Sequence, residues 1–185
     1  NEGYHVSRAE LTSIIHVEMD FENLIHARKA RKLKQSQTDK FKFSQLHHED
    51  YQLVYQFILQ CRYKKQMKLS MTQDDLENTI LTFPDEYLLF GVFYKNDLVG
   101  ASVAIQVNCN VIYHFISDHL RTVGEARPAL LLMKGIYEYC ITQKVSLLDL
   151  GTSTLDELPN FKLIQFKTEL GGVASSKLTF TKDLN

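Results

Sequence analysis

The chain has 185 residues, 44% hydrophobic and 23% charged, a globular composition that suits one medium domain with its own core. No run approaches the roughly 18 consecutive apolar residues of a membrane span. Cys61, Cys109 and Cys140 are odd in number and scattered, so neither a disulfide framework nor a metal site is expected.

In chain order, Asn1 stands where a Met would begin a complete product, and no apolar h-region follows. Material cut from a longer, cytoplasmic protein is therefore expected. Leu11 to Met19 reads as a strand, and Asp20 is placed to cap a helix running to about Lys34. The formal net charge of −1 hides an asymmetry, because Arg28 to Lys42 holds seven Lys or Arg and one Asp. A solvated helix face is the simpler reading of that run, and phosphate docking the sharper one.

Lys40 to Leu46 alternates as a strand with Phe41 and Phe43 on one face. Tyr51 to Gln66 has helical spacing, and Thr72 with Asp75 makes a capping-box entry into a helix that ends near Phe83, before Pro84. Tyr87 to Tyr94 (YLLFGVFY) is an unbroken apolar run, the mark of a strand buried on both faces. Turns at Asn96-Asp97 and Asn108-Cys109-Asn110 lead into strands Leu98–Val107 and Val111–Ser117, an antiparallel meander. Alternation places His114 and Asp118 on one face with Ile112 and Ile116.

Pro128 then opens an apolar helix to Thr142, and Ser146 to Leu150 is a short strand. Strand, helix, strand implies a right-handed parallel crossover between Val111–Ser117 and Ser146–Leu150. A helix over about 160–170 and a strand over Lys177–Lys182 close the chain. The expected class is α/β of the α+β type: a mixed sheet, an antiparallel meander followed by a parallel crossover, with helices on both faces.

In such a sheet ligands gather at the carboxyl ends of the parallel strands, here Ser117-Asp118-His119 and Asp149-Leu150-Gly151-Thr152. The loop between strand and helix holds Arg121, Gly124 and Ala126, small residues that let backbone amides approach a phosphate at a helix N-terminus. Asp149 is suited either to an attacking amine or to capping the next turn. Asp118 and His119 are base candidates. His47, His48, Glu49 and His114 form no recognised metal-ligand spacing.

The meander, the Arg121-x-x-Gly124-x-Ala126 loop, the helix and the following strand resemble the GNAT N-acyltransferase fold from about Lys40 to Lys182. That resemblance implies acyl-CoA as donor, with Arg121, Gly124 and Ala126 lining its pyrophosphate. Glu125 and Arg127-Pro128 depart from the pattern. A narrower resemblance rests on the basic run RKARK, then LLLMKGIYEYC, LLDLGTS and FKTELGG. It is to the Fem (methicillin-resistance-factor) aminoacyltransferases and the related acetyltransferase domains of polysaccharide-synthesis proteins.

The Fem resemblance implies that residues 1–39, the strand and basic helix, are the remnant of a preceding GNAT-like domain, and that residues 40–185 are the acyltransferase domain. It also implies an aminoacyl-tRNA donor, an amine acceptor such as a peptidoglycan precursor, and a tRNA surface on the basic helix. Phe166-Lys167, four residues before Gly171-Gly172, matches the family's Phe-Lys element, whose lysine stabilises the charge of acyl transfer. Phe161-Lys162 repeats the pair without a counterpart. The plain alternative has Phe166 in the core and Lys167 snorkelling to solvent. A non-catalytic binding or dimerisation module is the competing function.

Overall fold

The computed structural model describes residues 3–155 and 158–182. Seven strands form one sheet in the order β2-β3-β4-β5-β6-β1-β9, and β7 and β8 make a separate two-stranded ribbon. The meander falls where the apolar runs and turns put it: β2 Phe41–Leu46, β3 Tyr87–Tyr94, β4 Asp97–Asn108 and β5 Val111–His119, each antiparallel to the next. Helix α5, Pro128–Thr142, then crosses over to β6, Leu147–Thr152, parallel to β5. The small strands are β7 Thr154–Leu155 and β8 Leu158–Pro159.

The two faces of the sheet carry two cores. Leu88, Phe90 and Val92 of β3 pack beneath α5 with Ile136 and Tyr137. Tyr87 and Leu89 point the other way, beneath helix α3, Tyr51–Lys64, and helix α4, Gln73–Thr82. Each large apolar side chain buried so contributes about 1.5–3 kcal/mol. The capping box at the start of α4 forms as expected: Asp75 N donates to Thr72 Oγ1, and Thr72 N to Asp75 Oδ2, both at 3.1 Å.

Three departures matter for the site. The expected helix from Asp20 to Lys34 is two helices, α1 Phe21–Leu24 and α2 Ala27–Ser36. Ile25 is buried in the core in an extended conformation, and the His26 amide donates to Glu169 O at 3.0 Å. His26, not Asp20, supplies a side-chain cap, accepting from Arg28 N.

The first and last strands, β1 His5–His16 and β9 Val173–Thr181, pair antiparallel along their length, and β1 also pairs with β6. Residues 5–36 therefore share the sheet and the α5-side core with the rest of the chain.

The third departure is a bulge in β5. Val103 faces Ile116 but Ala104 faces His114, so Phe115 is an extra residue. His114 stays with Ile112 on the α5 face, while Ile116 and Asp118 turn to the α3 face. The expectation that all four share one face fails there, because one inserted residue reverses the alternation.

Candidate active site

Strands β5 and β6 pair only over Val111–Tyr113 and Leu147–Asp149. Beyond Tyr113 they part, and helix α6, Phe161–Glu169, borders the opening. The result is a cleft of about 550 Å³ with His114 on one wall, Leu150 and Thr152 on the other, and Phe166 and Lys167 across it. Arg62 and Lys65 stand at its α3 end.

The sequence of α6 fixes how Lys167 arrives there. Asn160 Oδ1 caps the helix by accepting from Leu163 N at 3.1 Å. At the other end, Leu170 N and Gly172 N both donate to Lys167 O. Gly171 adopts φ +85°, and a Cβ on it would lie 2.3 Å from Leu24 Cγ. A Cβ on Gly172 would lie 2.8 Å from Lys167 O. The Gly-Gly pair thus ends the helix within one turn of Lys167 and releases the chain into β9.

Lys167 is 6% exposed, so it does not snorkel. Its Nζ donates to Gly151 O and to Thr152 O, each at 2.8 Å. The third N–H has no partner among the described residues. Burial pulls its pKa from 10.5 down to about 8; Asp149 opposes the shift and Lys177 adds to it. An ammonium held by neutral carbonyls in a half-dry cleft is a strong donor with one proton to spend.

Asp149 is placed behind this arrangement. Leu148 and Leu150 face the α5-side core, and Asp149 faces away from it. Its Oδ1 accepts from Gly151 N at 2.8 Å and Thr12 Oγ1 at 3.1 Å, and its Oδ2 from Lys177 Nζ at 2.7 Å. Gly151, at φ +75°, is bent so that its N–H meets Asp149 and its carbonyl meets Lys167. Asp149 thus caps the turn and positions the carbonyl that holds Lys167.

Asp118 is 3% exposed and committed: Lys65 and Arg62 both pair with it, the latter at 3.2 Å, and the His119 amide donates to it. Both of its oxygens are thus engaged within the chain. His119 is held below its ordinary pKa, first by burial and then by Lys65. His114 is pushed down to about 4 by burial, then by the charge of Lys167 and by His119. Its Nε2 is buried without a hydrogen-bond partner among the described residues.

The loop expected to cradle phosphate lies apart from these residues. Val123 and Ala126 bond each other's backbones, N to O at 3.3 and 3.1 Å, with Gly124 at φ +58° in the tight turn between. Arg121 precedes that turn, exposed. At the start of α5, Arg127 N donates to Ser36 Oγ at 2.9 Å, Pro128 has no N–H, and Leu130 N turns to Arg127 O. Of the three residues expected to line a pyrophosphate, Ala126 thus has its amide engaged, whereas Gly124 N and Arg121 N have no partner among the described residues.

Ser36, whose Oγ also donates to Lys32 O at 2.8 Å, had no signal in the sequence beyond being a small hydroxyl residue in the last turn of a basic helix.

Helix α2 presents Arg28, Arg31 and Lys34 to solvent. Lys32 is held below its ordinary pKa chiefly by Arg28, then by burial and by Arg127, Lys29 and Arg31. Lys29 instead joins α6, pairing with Glu169 at 3.1 Å and lying 4.7 Å above the Phe166 ring. Among the described residues, no group of three or more His, Cys, Asp or Glu could hold a metal. No helix is long and apolar enough to cross a membrane.

The parted strands, the crossover helix and the meander together match solved structures. FemX superposes with a TM-score of 0.79 at 11% identity, over 96% of this chain and 65% of that one. The fold is GNAT-like, arranged as in FemX. L-PGS from Bacillus licheniformis matches with a TM-score of 0.68 at 11% identity, over 97% of this chain and 62% of that one. A tandem GNAT protein from the clavulanic acid biosynthesis pathway matches at 0.56 and 14% identity, over 96% and 54%. The chain thus spans less than two thirds of each of these GNAT-like proteins. No family model and no curated protein matches the sequence.

Proposed function

We propose that the chain is an N-acyltransferase that moves an aminoacyl group from an ester donor to an amine acceptor in the β5–β6 cleft. The observation that carries this reading is Lys167 Nζ, buried, fixed by two carbonyls and left with one free N–H among the described residues. The amine nitrogen attacks the ester carbonyl and a C–N bond forms. Negative charge collects on the carbonyl oxygen, where the third N–H of Lys167 receives it. The C–O bond then breaks. The proton lost by the amine balances the one gained by the leaving oxygen, so transfer is direct and needs no covalent enzyme intermediate. A positioned donor of this kind is worth about 10²–10³ in rate.

Two features support an aminoacyl-tRNA donor over acyl-CoA. The loop amides at Ala126 and Arg127 are already bonded within the chain, and the exposed cations of α2 offer a surface for a polyphosphate. The acceptor class follows the neighbours no further than an amine, with a peptidoglycan precursor or a lipid headgroup as the candidates. A cytoplasmic location belongs to the same proposal, as does the reading of residues 1–39 as the remnant of a preceding GNAT-like domain, now built into this sheet. The second reading, a non-catalytic module, draws on Asp118, whose oxygens are both taken up in ion pairs with Arg62 and Lys65.

The test is amide formation by the full chain from an alanyl-RNA minihelix and a primary amine, beside calorimetric titration with CoA and acetyl-CoA. Product formation that disappears in Lys167→Met, with no saturable CoA heat, is expected. Saturable CoA binding lost on a bulky substitution at Gly124 would replace the donor. No product, with the chain folded and the minihelix bound, would favour the module.

A further inference from the structure

The geometry points to His114 as the residue that receives the acceptor: its Nε2 accepts a hydrogen bond from the neutral amine beside Lys167. This rests on the proposed transferase reading and adds to it the acceptor's seat and the form in which it binds.

A buried polar nitrogen with no partner is a standing penalty that native structures rarely keep without a use. His114 Nε2 is such a nitrogen, and His114 lines the same cleft as Lys167. The Phe115 bulge secures that position. It leaves His114 on the α5 face and sends Asp118 to the α3 face, against Arg62 and Lys65. Without the extra residue, His114 and the Asp118 ion cluster would share one face.

Charge explains why the occupant is neutral. The cleft is lined by Arg62, Lys65, Lys162 and Lys167 against one carboxylate, Asp118. An ammonium entering it meets an excess of like charge, whereas an unprotonated amine meets none. The unprotonated amine is also the only nucleophilic form. It has N–H groups to give and a lone pair to aim, so an acceptor at Nε2 holds it without consuming that lone pair. His114 itself stays neutral, its pKa pushed down to about 4 first by burial, and in the tautomer with the proton on Nδ1 it presents Nε2 as an acceptor.

The probe is glycinamide, an α-amine that is about half neutral near pH 8. It is titrated into the full chain labelled with ¹⁵N, reading the His114 imidazole nitrogens and the Thr152 and Lys167 backbone amides. We expect the His114 Nε2 resonance to move saturably together with both amides. His114→Phe is expected to weaken glycinamide binding at least tenfold while raising the melting temperature, because the orphaned nitrogen is gone. His114→Gln is expected to restore most of the binding.

If Thr152 and Lys167 move while His114 Nε2 does not, or if His114→Phe binds as well as the parent, the assignment to His114 is overturned and the cleft remains an amine site. If none of the three responds, the cleft does not take an amine, and the transferase reading falls with it. Should His114→Phe fail to fold, the Nε2 response of the parent chain decides alone.

Discussion

Helix α6 carries the same dipeptide twice, and the two copies meet opposite fates. Phe161 is 73% exposed and Lys162 stands at the cleft's border, near the capped end of the helix. Five residues on, Phe166 packs against the core beneath Lys29, and Lys167 is buried with two carbonyls on its ammonium. Neither composition nor propensity separates the pairs. What separates them is the turn of helix on which each falls, and the Gly171-Gly172 exit that draws only the second against β1 and β6. A lysine becomes a buried donor here because the backbone behind it can approach closely, not because its own neighbours in sequence are apolar.

The sharpest test of that contrast exchanges the charges one at a time. Lys167→Met is expected to lower transfer by about 10²–10³, whereas Lys162→Met stays within about twofold. Steady-state rates with the same donor and acceptor check both, and equal losses would erase the distinction between the pairs.

Gly172→Ala attacks the same contrast through the backbone, setting a methyl against Lys167 O. Gly171→Ala sets one against Leu24 in a left-handed conformation. Each is expected to destabilise by about 1–3 kcal/mol, measured as a lower urea midpoint with an unchanged slope.

The proton gives a finer test. The folded pKa of Lys167 lies near 8 against 10.5 for the free side chain. Between those values the unfolded chain binds more protons than the folded one, so stability from this group rises with pH. The ammonium proposed to serve the reaction is lost over the same interval. Transfer should therefore fall above about pH 8 while urea stability rises, and Lys167→Met should show neither change.

The smallest effect concerns His114. Its folded pKa near 4 lies below the usual 6.5. Its contribution is thus complete above 6.5 and is lost as the pH falls towards 4. The difference in acid stability between the parent chain and His114→Phe measures it.

The parts of this molecule legible in its sequence are those set by neighbours along the chain. Turn residues delimited β3, β4 and β5, Pro128 opened α5, and the Thr72–Asp75 pair opened α4. The parallel step from β5 to β6 followed from the hand of crossover connections. The pairing of β1 with β9 had no local signal, because register between strands some 160 residues apart is written in neither. Alternation could not foresee the Phe115 bulge, which needs β4 opposite it to be seen. The site was legible where a motif named it, at Phe166 and Lys167. It was illegible at Ser36, whose hydroxyl acts on an amide 91 residues away.

The position of β1 between β6 and β9 also sets a timetable. As the chain leaves the ribosome, β1 emerges before every other strand of this sheet, yet both strands that border it lie beyond residue 146. Until they emerge, its two edges stay bare, each a row of unpaired amides and carbonyls open to other chains. The β2–β5 meander can assemble from local pairings in the meantime, but the β1 side of the sheet must close last. Such distant pairing slows folding. The strand that completes this sheet, β9, is the one that begins directly after the glycines behind Lys167, so the buried lysine and the finished sheet arrive together.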